Sequence, residues 1–166
     1  MTSLPPAVVA AAALALAAPL AQSKPDFSGT WTMDRERSES PHQTTSFEPP
    51  TFVISQTDAD VTIETRRGSA SSQVRYPIGS ATTAAQAGAG GGARAYWSGA
   101  SLVTESNRTV QGQTVSVRET RSLDASGAEM TVETLLVVQH GYSFKGGQNY
   151  GAAKDVYRKV NPKGAI

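Results

Sequence analysis

From Phe27 onward, apolar and polar residues alternate one by one in short runs, and each run ends in turn-forming residues. A period of two places successive side chains on opposite faces of an extended strand, so this pattern specifies half-buried β-strands rather than helices. Asp60–Arg66 is a clear instance: Val61 and Ile63 share one face, while Thr62, Glu64 and Arg66 share the other. Thr51–Gln56 places Phe52 and Ile54 together, and Thr114–Leu123 sets Val115 and Val117 against Ser116, Arg118 and Thr120. Further strands are expected at Phe27–Met33, Ser72–Ile78, Ala93–Trp97, Ser101–Arg108, Met130–Gln139 and Asp155–Val160. Composition agrees: after residue 23 the chain has 12 Val and 16 Thr but 4 Leu, and β-branched residues suit pleated surfaces.

The connections set the topology. Thr57-Asp58-Ala59-Asp60, Ser98-Gly99-Ala100, Gln111-Gly112-Gln113 and Asp124-Ala125-Ser126-Gly127 are short and rich in turn formers. Hairpin-length loops join antiparallel neighbours, whereas parallel strands need a long crossover. About eight or nine strands in such a meander favour closure, which removes both exposed edges. The expectation is therefore an all-β chain, a single antiparallel up-and-down barrel. Three stretches interrupt it: Asp34–Pro50, a polar loop with a helical turn expected at Arg35–Ser40; Gly79–Gly92, low in complexity; and Gly141–Gly151, which sets Tyr142, Phe144 and Tyr150 among glycines.

Residues 1–23 read differently. They carry no charged side chain, and Val8–Ala18 is a continuous run of Val, Ala and Leu. That run is shorter than the roughly 20 residues a membrane span needs, and it matches the apolar region of a signal peptide. Ala21-Gln22-Ser23 supplies small residues for cleavage before Lys24, although Met1–Pro6 lacks the usual Lys or Arg. The alternative is a buried Ala-rich helix. The reading divides the chain into a signal peptide, 1–23, and a barrel domain, 24–166, exported to the periplasm or secreted.

A formal net charge of +1, with signs interspersed, argues against nucleic acid or an anionic membrane surface as partner. No cysteine is present, which excludes thiol catalysis, thiolate metal sites and disulfides. An exported domain of this kind holds itself together by its core, and roughly 140 residues suffice for one.

Phe27-Ser28-Gly29-Thr30-Trp31-Thr32-Met33 and Asp155-Val156-Tyr157-Arg158-Lys159-Val160 resemble the first and last strands of calycin barrels, the lipocalins and fatty-acid-binding proteins. Trp97-Ser98-Gly99 and the turn within Leu123–Glu129 are similar to the hairpins of small secreted bacterial lipocalin-like proteins. The resemblance implies structural roles for Gly29 and Trp31, with a basic side chain of the last strand, Arg158 or Lys159, across the indole. It departs from the fatty-acid-binding pattern on that last strand. Tyr157 is kept, but Asp155 stands where an arginine would grip a carboxylate, and it would repel one. Asp34–Pro50 is also too short and proline-rich for the two-helix lid of those proteins.

No catalytic constellation is legible, and the chain is read as a non-enzyme with no cofactor. His42 and His140, the two histidines, have no further ligand at metal spacing, and no Gly-x-Ser-x-Gly elbow occurs. Gly88–Gly92 precedes a strand rather than the helix a phosphate loop requires. The carboxylate pairs Asp58/Asp60 and Glu36/Glu39 read as solvated, and Asn107-Arg108-Thr109 is a chance-level glycosylation match. The interior remains. Small inward residues favour a cavity, with Tyr76, Tyr96, Trp97 and Tyr157 as candidates to line it; alternatively these rings close the barrel ends. The function expected is binding of a small hydrophobic or amphipathic molecule without transforming it. The alternatives are a structural or protein-interaction module of the cell envelope with a filled barrel, and an isomerase-like enzyme using a pair such as Asp155 with Arg118.

Overall fold

The computed structural model describes residues 24–43, 47–79, 92–110, 113–139 and 148–161. The leader, most of Gly79–Gly92, most of Gly141–Gly151 and His140 lie outside the described residues, as does the tip of the Gln111-Gly112-Gln113 turn. Nine strands form a closed barrel in chain order. They are β1 (Gly29–Met33), β2 (Thr51–Gln56), β3 (Asp60–Arg67), β4 (Ala70–Gly79), β5 (Ala93–Ser98), β6 (Ser101–Val110), β7 (Gln113–Leu123), β8 (Glu129–Gln139) and β9 (Gln148–Lys159). A four-residue helix, α1 (Ser40–Gln43), lies between β1 and β2 and starts where the expected turn at Arg35–Ser40 ends. Among the described residues no helix is long and apolar enough to cross a membrane.

The barrel is not antiparallel throughout. β4 and β5 pair in parallel, Ile78 opposite Ala95 and Gly79 opposite Tyr96, while the other neighbours, including β1 with β9, are antiparallel. Parity requires this. A closed ring of nine strands cannot reverse direction at every step, so at least one neighbouring pair must be parallel. It falls where the connection, residues 80–92, has the length that a crossover between parallel neighbours needs.

The inward faces of the strands supply one core, which includes Phe52, Ile54, Val61, Ile63, Leu102, Met130 and Val132. At one end this core is sealed. Trp31 is fully buried, and its indole Nε1 donates to the Phe27 carbonyl at 2.8 Å. Phe27 packs 6.1 Å from Trp97, ring centre to ring centre, so residues just before β1 plug the barrel base. The Phe27 amide donates to Gln56 Oε1 at 3.1 Å, and Gln56 Nε2 donates to the Pro25 carbonyl at 3.0 Å, which holds the plug in place.

Register decides which basic residue covers Trp31. Lys159 is its cross-strand partner, and the ammonium sits 5.2 Å from the ring centre. Arg158, one residue earlier, faces the opposite side of the sheet and pairs with Asp34 at 2.8 Å. Of the two candidates, strand parity therefore gives the covering role to Lys159 and corrects the structural role assigned to Arg158. Gly29 makes the arrangement possible: its φ is +135°, and a Cβ there would sit 2.7 Å from Lys159 Cε.

Candidate functional site: the barrel interior

At the opposite end the described residues leave the barrel open. There the inward side chains are Val117 and Glu119 of β7, Val132, Thr134 and Leu136 of β8, and Ala153, Asp155 and Tyr157 of β9. They surround a cavity of about 360 Å³, with Met33, Phe47, Pro50 and Phe52 completing an apolar wall and Arg67 at the rim. Small residues on β9, Gly151, Ala152 and Ala153, leave the volume that larger ones would fill.

A buried polar group lies next to this space, on the same face of β7 as Glu119. Arg121 on β7 is 1% exposed. Its guanidinium donates to Glu119 Oε2 at 2.5 Å and to Thr104 Oγ1 at 2.7 Å, and lies 5.6 Å from the Phe52 ring centre. Its Nε has no hydrogen-bond partner. A buried guanidinium is tolerable only when paired, and Glu119 supplies the counter-charge. Tyr157 stacks on Phe52 with centroids 4.8 Å apart. Burial pushes the Tyr157 hydroxyl above the ordinary phenol range, and the Asp155 and Glu119 carboxylates push the same way. The ring therefore remains a protonated donor.

Asp155 is buried and committed to the entrance. Its Oδ1 accepts the Ser40 amide at 2.9 Å and its Oδ2 accepts the Ser40 hydroxyl at 2.6 Å, which fixes the start of α1 at the mouth. β1 is short, so the adjoining part of β9 takes partners from the segment before α1. The Ser38 hydroxyl accepts the Val156 amide at 2.9 Å, and Glu39 exchanges bonds with Lys154.

Of the four rings expected to line a cavity, Tyr157 does so. Tyr76 points inward but is packed into the core, where burial, with Glu119 nearby, raises its hydroxyl. Trp97 belongs to the sealed end, against Phe27 and under the Lys24 ammonium at 5.6 Å. Tyr96 lies on the outer face and donates to Glu105 at 3.2 Å, because it is one residue out of phase with the inward-facing Ala95. The pairing of Asp155 with Arg118 is likewise absent: Asp155 is inside, while Arg118 is outside and bonded to Glu105 at 2.7 Å. Glu105 also pairs with Arg94. Partial burial raises the Glu105 carboxyl, but the bonds from Arg94 and Arg118 outweigh it and hold the group below the usual carboxylate range.

Glu119 and Arg121 escaped the sequence reading. The signal was present, since the face holding Val115 and Val117 continues through positions 119, 121 and 123. Among the described residues no cluster of His, Asp and Glu has the geometry of a metal site.

No protein-family model matches the chain, and no curated protein matches it in sequence. Solved structures do resemble it in outline. The fluorescent protein UnaG is 17% identical over 81% of this chain and 97% of its own, with a TM-score of 0.46. An asparagine-to-alanine variant of UnaG gives 18% identity, 81% and 96% coverage, and a TM-score of 0.48. The REP1-NXSQ fatty acid transporter gives 12% identity, 82% and 97% coverage, and a TM-score of 0.42.

Proposed function

We propose that the protein is an exported barrel that binds a small hydrophobic or amphipathic molecule in its interior and does not transform it. The observation that carries this reading is the 360 Å³ cavity, apolar on most sides, sealed at the Trp31 end and reached from the α1 end. Its size falls within the range of small-molecule sites, and such sites are mostly apolar with a few placed polar groups. A wholly filled barrel, as a structural module would have, fits this interior less well.

The test is titration with Nile red, an uncharged dye that brightens in apolar surroundings. The expected result is saturable brightening with one site per chain, lost in Ala153→Trp, which puts an indole into the cavity while the circular dichroism stays that of the parent. No saturable brightening, or equal binding by Ala153→Trp, would refute the reading. Export is checked separately, by mass spectrometry for cleavage before Lys24.

A further inference from the structure

The polar groups facing the cavity specify more than its size. Among the described residues Glu119 and Asp155 are the carboxylates that line the cavity, and Arg121 is a buried cation behind them. Arg121 is held by Glu119 through Oε2 and is not part of the cavity lining, so a second anion would reach it only by disturbing a buried pair. Asp155 spends both oxygens on Ser40. Glu119 lines the cavity, and its Oε1 receives no hydrogen bond from any described residue. Tyr157 also lines the cavity, and its hydroxyl stays protonated there. The remaining cavity-lining charge, Arg67, is at the solvent-exposed rim, where water and salt weaken its field.

We infer that the ligand is an uncharged amphiphile whose polar end carries a hydroxyl or amide, donating to Glu119 Oε1 and accepting from Tyr157, and that free carboxylates are disfavoured. This rests on the binding function proposed above. A hydroxyl can serve Glu119 and Tyr157 at once, because it donates one hydrogen and accepts another. A carboxylate has no hydrogen for Glu119, and its own negative charge beside the Glu119 and Asp155 carboxylates would be repelled, where low polarity strengthens the repulsion. An ester or ether accepts from Tyr157 but leaves Glu119 without a donor.

The experiment compares three ligands with matched chains by calorimetry at neutral pH: decanol, methyl decanoate and decanoate. The expected order has decanol tightest, about tenfold tighter than the ester, as a hydrogen bond to a charged acceptor implies. Decanoate is expected to bind no better than the ester. Glu119→Gln, which keeps the shape and removes the charge, should narrow the gap between decanol and decanoate by about tenfold. The wild-type series is decisive even where that variant does not fold. Decanoate binding as tightly as decanol, or ester and alcohol binding equally, overturns this inference and leaves ligand binding standing. Failure of all three ligands to bind overturns both.

Discussion

Glu119 gives the sharpest test of how the interior is held together. Arg121 is 1% exposed and has one carboxylate partner, 2.5 Å away. Removing that partner in Glu119→Leu leaves a buried cation with Thr104 and the face of Phe52 as its remaining polarising contacts. Losing one member of a buried pair costs about 3–5 kcal/mol. The Glu119 side chain keeps 23% exposure at the cavity, which allows water to reach the vacated site, so the lower end of about 3 kcal/mol applies. For a domain of this size that corresponds to a fall in Tm of roughly 10 °C. Replacing both members, Glu119→Leu with Arg121→Met, removes the stranded charge and should recover most of the loss, since apolar replacements of buried pairs are often neutral or better. Urea denaturation followed by Trp31 and Trp97 fluorescence measures all three variants. A loss below about 1 kcal/mol for Glu119→Leu, the figure expected of a surface pair, would show that Arg121 is hydrated and refute the reasoning. So would a double variant as unstable as Glu119→Leu.

Gly29→Ala should lower stability by about 1–3 kcal/mol through its positive φ, even if the flexible Lys159 stem moves aside, and thermal melting reads this directly. Glu105 is held below its ordinary range in the folded chain, so its contribution is present above its unfolded value of about 4.3 and is lost as pH falls through the lower folded value. Glu105→Gln should therefore flatten the acid side of a stability–pH profile and leave the alkaline side unchanged; an unchanged acid side would count against the Arg94–Glu105–Arg118 network. Tyr157 is raised, so its contribution is complete below about pH 10 and declines as pH climbs further, when the unfolded phenol ionises first. Phenolate absorbance should show Tyr157 ionising only with unfolding, and ionisation in the native barrel would contradict its burial.

The strands were legible because alternation is a local property. Val61, Ile63, Phe52 and Ile54 face inward as their spacing requires, and Thr51–Gln56 has the bounds its pattern sets. The plug at Phe27 and Trp31 and the short turns follow from residue types in one stretch of chain. The direction of one strand pair did not, because the parallel contact of β4 with β5 follows from the ring having an odd number of strands. Nor did the identity of the lining groups. Tyr96 and Arg158 resemble their neighbours in chemistry and differ only in phase, which the register fixes.

Alternation, composition and turn chemistry thus determined that this chain makes a closed all-β container. Tertiary structure alone decided what the container presents inside. Charge pattern argues for placing Glu119 and Arg121 in water, and only when β2 and β6 bring Phe52 and Thr104 against β7 does a buried ion pair acquire the further contacts that hold it. Hydrophobic order is written along a strand, whereas compensation of a buried charge depends on residues from other strands.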